Sequence, residues 1–302
     1  MKYLYCLRPI NLVIVACTQI LMYYLFFEDV HYDANPSWVL KAPKIYLFTL
    51  VTVLITASGY LINDYVDFDS DLANSKSSRL ENKFNYLRYY FILVVIGFLI
   101  SLWFAMDIGK PFLASIYLVA VGLLFMYSTT FKKHLLFGNV IVSLFSTLVL
   151  LILLYAEKEG IATLPTLIRQ HLYFQTLIFC AFVFLISMVR EIVKDIEDVE
   201  GDRKLGDKTL PVSYGIKKSS AVASGFGLVL IVTFLLWIIK YISLVENYVI
   251  GYGVVFLIVP TIFITYRLFK GISISESAAI SRACKFIMIA GLFFMFLTQS
   301  DL

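Results

Sequence analysis

The chain has 302 residues, of which 60% are hydrophobic and only 15% are charged. Soluble globular chains are about 45–50% apolar and about 25% charged, so this composition excludes an ordinary soluble protein and a disordered chain. The formal net charge of +4 is modest, which argues against nucleic acid as a partner. The small polar fraction of the chain must therefore carry the function.

The hydrophobic residues are gathered into nine long uncharged runs. These are Pro9–Phe27, Ile45–Asn63, Tyr89–Met106, Pro111–Phe131, Leu135–Ala156, Leu172–Val189, Ser219–Ile239, Asn247–Tyr266 and Phe286–Ser300. Nearly all of them reach the ~20 residues that a helix needs to cross the hydrocarbon core of a bilayer. The last run is short, and we expect Arg282 and Lys285 to snorkel from its first turn. The sequence predicts an all-α polytopic membrane bundle of nine transmembrane helices, in one domain over residues 1–302.

The basic residues predict how this bundle is oriented. Nineteen of the 25 Lys and Arg residues fall in the N-terminal segment and the even-numbered connections, and six fall on the other side. Cytoplasmic loops carry the excess of Lys and Arg in membrane proteins. We therefore expect a multi-pass protein of the cell inner (plasma) membrane, with the N-terminus in the cytoplasm and the C-terminus outside.

Twelve of the 21 acidic residues lie in two stretches on the predicted cytoplasmic side, 63–81 and 191–207. Three aspartates of the first stretch match three of the second at a constant separation of 131 residues: Asp64 with Asp195, Asp67 with Asp198, and Asp71 with Asp202. Their spacing of i, i+3, i+7 places three carboxylates on one face of a helix. Such an internal repeat predicts two pseudo-repeated halves.

Three carboxylates on one helical face repel one another at a membrane boundary, so a bound cation should offset them. Mg²⁺ prefers oxygen ligands and keeps coordination positions for water and phosphate oxygens. The two clusters therefore predict a Mg²⁺ site that clamps a diphosphate; the alternative, that the acids are solvated loop side chains, is disfavoured by their duplication at identical spacing. The acids of these faces are Asp64, Asp67, Asp71, Asp195, Asp198 and Asp202, and Asn63 joins the first face four residues before Asp67.

Basic residues flank both clusters. Arg190 and Lys194 lie one helical turn apart before the second cluster, and Lys132 follows the fourth hydrophobic run. Charge at a membrane boundary is costly and is usually retained for a role. We expect these three residues to donate to phosphate oxygens that the metal leaves free.

Several motifs together resemble those of the UbiA superfamily of intramembrane prenyltransferases, over essentially the whole chain. They are Asn63-Asp64-x-x-Asp67-x-x-x-Asp71, Asp195-x-x-Asp198-x-x-x-Asp202-Arg203-Lys204 and Thr209-Leu210-Pro211. Arg8-Pro9-x-Asn11, Tyr127-Ser128 with Lys132, Gly138-Asn139 and Met188-Val189-Arg190-Glu191 resemble the geranylgeranylglycerol-phosphate geranylgeranyltransferase-like members. There is one departure: the loop from Asn74 to Arg79 has no proline where similar proteins usually carry an Asn-Lys-Pro-x-Arg-Pro type loop, which leaves its shape and the acceptor open.

The resemblance implies transfer of a prenyl group from a prenyl diphosphate to a lipophilic acceptor, with release of diphosphate. It implies Mg²⁺ bridging Asn63, Asp67 and Asp71 on one side and Asp198 and Asp202 on the other, with Asp64 and Asp195 as supporting or direct partners. Lys132, Arg190 and Lys194 would assist as phosphate donors. Tyr60 and Tyr127 are the first candidates to offer π faces to an allylic cation, and Arg8 and Asn11 are further substrate-binding candidates.

Two acceptors and one other class of protein remain open at this point. A glycerol-phosphate ether would attack through its hydroxyl, with Arg8 binding its phosphate, whereas an aromatic acid or quinone precursor would attack through a ring carbon. A cation-coupled membrane transporter would also carry repeats and intramembrane acids, but it predicts acids near mid-bilayer. The motif of the CDP-alcohol phosphotransferases is absent from the sequence. The lipid bilayer is an expected partner, and no protein partner is implied.

Overall fold

The computed structural model describes residues 6–27, 37–73 and 82–298, and the side chains of all of these except 69–73. Because no water satisfies the backbone inside a bilayer, the apolar runs form helices whose hydrogen bonds are internal. The helices are α1 (Pro9–Phe26), α2 (Lys44–Ala73), α3 (Lys83–Asp107), α4 (Phe112–Thr129), α5 (Phe137–Ala156), α6 (Lys158–Ala162), α7 (Thr166–Leu205), α8 (Leu210–Tyr214), α9 (Ile216–Tyr241), α10 (Asn247–Gly253), α11 (Val259–Lys270) and α12 (Ile274–Leu297). Two short strands, β1 (His134–Leu135) and β2 (Lys208–Thr209), pair in parallel.

The predicted all-α membrane bundle is confirmed. Within the described ranges, nine helical stretches are long and apolar enough to cross a membrane, with α10 and α11 counted as one stretch joined by a π-helical segment, Val254–Ile258. The two motif helices extend beyond the predicted runs, because α2 continues from Asn63 to Ala73 and α7 continues from Val189 to Leu205. In α7 the three motif aspartates occupy one face, while buried apolar residues on other faces hold the helix in the bundle.

The last membrane helix differs from the prediction. It begins at Ile274 rather than Phe286, because Ser273 and Glu276 form a capping box at its N-terminus. Lys285 therefore lies inside the helix and lines a cavity of the bundle, so the prediction that it snorkels from the first turn is wrong. The predicted end of this helix at Ser300 lies outside the described residues.

The two halves place their motif helices in equivalent positions. A shift of 131 residues moves α2 onto 175–204, which lies within α7, and moves α3 onto 214–238, which overlaps α9. Helix α2 packs against α1, α3 and α4, whereas α7 packs against α5, α9 and α12. Each motif helix is thus surrounded by its own half, and α1 joins the halves through its contacts with α5 and α12.

A buried carboxylate holds the chain together at the end of the bundle opposite the aspartate motifs. Glu157 is fully buried after α5, and its Oε1 and Oε2 accept hydrogen bonds from the backbone N–H groups of Leu40 (2.6 Å) and Val39 (3.0 Å). Burial raises the pKa of Glu157 above its ordinary value, and the two N–H donors offset part of that rise. Trp38 packs so closely on Gly160 that an added Cβ would lie 2.4 Å from its ring.

We expect Glu157→Ala to lower the free energy of unfolding by about 3 kcal/mol, because it leaves two backbone N–H groups without their acceptor. The measurement is the Tm of purified protein in detergent. Glu159→Ala is the control, because Glu159 is an exposed carboxylate two residues further along the chain. Equal Tm values for the two variants would show that the buried carboxylate does not hold this segment.

Candidate active site

Two adjoining cavities lie at the ends of the motif helices. The acidic cavity, of about 510 Å³, is lined by both aspartate motifs, and the apolar cavity, of about 340 Å³, extends from it between α1, α2, α4 and α5. Nine residues line both cavities: Arg8, Asn11, Asn63, Tyr127, Lys132, Arg190, Glu191, Lys194 and Lys285. We call this shared set the junction. A ligand with a charged head and an apolar tail would span the two cavities through it.

The first motif faces the acidic cavity from α2. The side-chain amide of Asn63 donates to Oδ2 of Asp67 at 2.9 Å, and the ammonium of Lys132 binds the same carboxylate oxygen. Asp64, which lines the same cavity, accepts a hydrogen bond from Arg8 at 2.7 Å. Asp71 lies in the last turn of α2, and its side chain is outside the described part of the structure. The structure thus brings Asn63, Asp64 and Asp67 to the predicted site.

The second motif faces the same cavity from α7. Asp195 accepts a hydrogen bond from the side-chain amide of Asn139 at 2.8 Å, and Asp202 accepts one from the hydroxyl of Thr209 at 3.1 Å. Asp198 lines the cavity between them. Asn139 lies in the first turn of α5 and Thr209 belongs to β2, so elements distant in sequence orient the carboxylates of α7. Only the family resemblance singled out these two donors.

Arg8 precedes α1 in a left-handed backbone conformation, with φ 52°. Its guanidinium carbon lies 4.8 Å from the centroid of the Tyr60 ring while its Nη2 binds Asp64. Burial by itself would lower the pKa of Arg8, but the charge and hydrogen bond of Asp64, together with Tyr60 and Glu191, outweigh it, so the pKa lies above its ordinary value. Arg8 therefore remains charged where α1 meets the cavities.

The junction carries a positive excess, since it has five cationic residues and one carboxylate, Glu191. Arg190 donates to Glu191, and Lys194 Nζ lies 3.8 Å from the other oxygen of that carboxylate. The Nε of Arg190 is buried and has no hydrogen-bond partner within the described segments. Sequence reasoning assigned no site role to Glu191, although its spacing of i−4 from Asp195 places both on one helical face. It also assigned none to Lys285, for which no motif gave a signal.

The predicted aromatic residues occupy different positions. Tyr127 lines both cavities, whereas Tyr60 lines only the apolar cavity and has the Arg8 guanidinium over its ring. Asn11 lines both cavities. The apolar cavity follows α2 from Thr52 to Asn63, roughly 16 Å at the rise of ~1.5 Å per residue in a helix. Its length suits a long hydrocarbon chain.

The donor set of the acidic cavity fits a magnesium ion. Among the side chains that the structure describes, no three His, Cys, Asp or Glu residues come together as a metal cluster. Mg²⁺ does not need one, because it is held by one or two carboxylates while water and phosphate oxygens complete its shell. The described side chains of the two motifs supply only carboxylate and amide oxygens, and no described His or Cys lines this cavity.

Comparison with protein families identifies the chain. Residues 30–297 match the sequence model described as the UbiA prenyltransferase family. The chain belongs to that family. Both the resemblance inferred from the sequence and the predicted enzyme class, prenyltransferase, are confirmed, and the alternative of a cation-coupled transporter is not favoured.

The chain is similar to archaeal proteins named digeranylgeranylglyceryl phosphate synthase. It is 32% identical over 187 residues to the one from Methanobrevibacter smithii, a match that spans 59% of this chain and 61% of the relative, less than two thirds of that protein's length. With the Sulfurisphaera tokodaii protein it is 32% identical over 206 residues, 67% of this chain and 69% of the relative. With the Pyrococcus horikoshii protein it is 30% identical over 230 residues, 75% and 74% of the two chains.

Two solved structures share the fold. One concerns digeranylgeranylglyceryl phosphate synthase in membranes, with a TM-score of 0.65 and 23% identity, covering 100% of this chain and 98% of that one. The other is a UbiA homologue from Archaeoglobus fulgidus bound to DMAPP and Mg²⁺, with a TM-score of 0.59, 17% identity and 100% of each chain covered. At these identities the similarity establishes a common helical membrane fold, and this chain is a multi-pass membrane protein.

The hydroxyl of Thr209 provides a test of the metal site, because it orients Asp202 from a neighbouring element. We expect Thr209→Val to weaken Mg²⁺ binding about tenfold, since removing a donor that orients a metal ligand typically costs 10–100-fold in affinity. The measurement is the Mg²⁺ concentration at half of the maximal rise in Tm. Thr209→Ser, which keeps the hydroxyl, should behave like the wild type. Equal affinity in all three proteins would contradict this role.

Proposed function

We propose that the protein catalyses the Mg²⁺-dependent transfer of a prenyl group from a polyprenyl diphosphate to a glycerol-phosphate ether, with release of diphosphate. The observation that carries the proposal is the junction, where a long apolar cavity opens into a cavity with oxygen ligands and cations. The relatives named digeranylgeranylglyceryl phosphate synthase support this acceptor. The aromatic acid or quinone precursor is the less favoured acceptor.

The acidic cavity would bind the diphosphate. Asn63, Asp67 and Asp71 on α2, with Asp198 and Asp202 on α7, are the residues that would hold Mg²⁺; Asp64 and Asp195 would support them. The bound metal would neutralise the charge that develops on the leaving diphosphate. Lys132, Arg190 and Lys194 would donate to the remaining phosphate oxygens. All of the residues assigned here whose side chains are described line the acidic cavity, which supports these roles.

The apolar cavity would hold the isoprenoid tail and place its allylic carbon at the junction. The bond between that carbon and the diphosphate oxygen breaks with both electrons passing to the diphosphate. The acceptor hydroxyl oxygen would then bond to the carbon and pass its proton to an oxygen of the released diphosphate. Tyr127 is the aromatic residue in position to face the allylic cation, because it lines both cavities. Arg8 and Asn11 close the junction from α1.

We further propose that the site faces the cytoplasm. The excess of Lys and Arg residues lies in the N-terminal segment and the even-numbered connections, which include both aspartate motifs. The C-terminus would then lie outside. This orientation gives a charged prenyl donor access from the aqueous side while its tail remains in an apolar environment.

We expect Asp67→Asn and Asp198→Asn each to lower the release of diphosphate by about a hundredfold or more, because each removes a carboxylate that would hold the Mg²⁺ that neutralises the leaving diphosphate. The measurement is diphosphate release with geranylgeranyl diphosphate, acceptor and Mg²⁺. Glu200→Gln is the matched control, since Glu200 is an exposed carboxylate on α7 outside the cavity. Normal turnover in both aspartate variants, or in excess chelator, would contradict the proposed Mg²⁺ site.

The assignment of the tail to the apolar cavity predicts a change in donor preference. We expect Ala120→Phe to lower turnover of geranylgeranyl diphosphate at least tenfold while dimethylallyl diphosphate is still used, because the added ring would shorten the cavity along α4. The two donors are compared at saturating acceptor. Val119→Phe is the control, since Val119 is 60% exposed on the outer face of α4. If Ala120→Phe left this preference unchanged, the tail would not lie there.

The product identifies the acceptor. Membranes containing the protein are incubated with labelled geranylgeranyl diphosphate and either geranylgeranylglyceryl phosphate or an aromatic acid, and the labelled product is identified by mass spectrometry. We expect the digeranylgeranyl ether phosphate. A prenylated aromatic product with no ether would contradict the proposed acceptor while leaving the class of enzyme in place.

A further inference from the structure

Lys285 is the one junction residue contributed by α12, and the roles proposed above do not use it. It lines the acidic and the apolar cavity, whereas Met288, one turn further along the same helix, lines only the apolar one. Lys285 therefore lies at the level where the two cavities meet. No described carboxylate forms an ion pair with it.

The surroundings of Lys285 are mainly cationic. The charges that act on it most strongly are those of Arg190, Lys194 and Arg8, followed by the single carboxylate of Glu191. Glu191 is already engaged by Arg190 and by Lys194. Like charges gathered in one cavity repel one another. An anion bound among them would offset this repulsion, just as a metal ion would offset the repulsion of the aspartates.

This anion should be distinct from the diphosphate of the prenyl donor. The aspartates that would hold the metal and the diphosphate line only the acidic cavity. Along α7, Asp198 lies eight residues beyond Arg190, roughly 12 Å at ~1.5 Å per residue. The reacting carbon of the donor would lie at the junction, between the position of Asp198 and that of Arg190 along α7. The attacking hydroxyl of the acceptor must reach the same point, which brings the head group of the acceptor to the level of Lys285.

We propose that Lys285, together with Arg8 and the buried Nε of Arg190, forms a second anion site that binds the phosphate of the acceptor. The guanidinium of Arg190 has five N–H donors, so its Nη groups remain available to the diphosphate. The inference rests on the proposed function for the identity of the acceptor. Arg8 comes from the start of α1 and Lys285 from α12, and these two helices are in contact. Arg190 Nε supplies a buried donor without a partner within the described segments. The three groups provide charge-assisted hydrogen bonds for the oxygens of one phosphomonoester.

Binding tests this site without turnover. The protein is reconstituted in phosphatidylcholine nanodiscs with chelator, and its Tm is measured against geranylgeranylglyceryl phosphate and against the same lipid alcohol without phosphate. We expect the phosphorylated lipid alone to raise the Tm, and Lys285→Met to weaken its binding roughly tenfold to a hundredfold. Arg282→Met, which removes an exposed cation from the same helix, should bind like the wild type. Equal binding by Lys285→Met, or equal binding of the alcohol, would overturn the proposal.

Stability without ligand separates this role from a purely structural one. Because Lys285 is surrounded by cations, Lys285→Met should be at least as stable as the wild type in the absence of the lipid. A lower Tm for this variant without lipid, together with unchanged lipid binding, would assign Lys285 to packing instead. Lys285→Arg should restore most of the affinity, since it restores the charge.

Steady-state kinetics then distinguish a site for the acceptor from a site for the prenyl donor. In Lys285→Met the KM for the acceptor should rise while the KM for geranylgeranyl diphosphate stays unchanged, and Lys132→Met should show the reverse. A rise in the KM of the donor alone in Lys285→Met would contradict the assignment. If the wild type binds the phosphorylated lipid but forms no product, the proposed function fails while the anion site stands.

Discussion

Two helices bring several carboxylates together at a membrane boundary. The structure depends on pairing the negative charges of these carboxylates with cations and hydrogen-bond donors. A carboxylate removed from water is costly unless it is paired or hydrogen-bonded. Four of the motif carboxylates meet a donor from another element: Asp64 meets Arg8, Asp67 meets Lys132, Asp195 meets Asn139, and Asp202 meets Thr209. The same contacts hold the start of α1, the connection after α4, the start of α5 and β2 around the cavity.

This compensation is also what makes the cavity chemically useful. Its contacts are ion pairs and hydrogen bonds with solvent access, which a charged ligand can exchange for its own. The apolar cavity adjoins the charged one through the junction, so a prenyl tail and its head group meet opposite environments within one site. An allylic cation formed there would be shielded from water on the tail side and stabilised by the leaving diphosphate on the other.

The repeat of the chain is symmetric in its acids but not in its cations. Both motif helices carry the same spacing of aspartates, and each is surrounded by the helices of its own half. The basic residues of the junction instead come from α1, α7, α12 and the connection after α4. A symmetric set of acids suits a metal-bound diphosphate between the halves. Under the proposed function, the asymmetric cations would distinguish the donor side of the site from the acceptor side.

The sequence by itself determined the number and type of the membrane helices, because uncharged runs of sufficient length leave a bilayer protein no other structure. It also determined the shared face of the aspartates, because helical periodicity is local, and the family, because two specific motifs repeat. Only the tertiary structure decided that Lys285 and Glu191 belong to the junction, that Tyr127 rather than Tyr60 faces both cavities, and that α12 begins at Ile274. These facts depend on which face each helix turns toward partners distant in sequence, and packing alone sets that orientation.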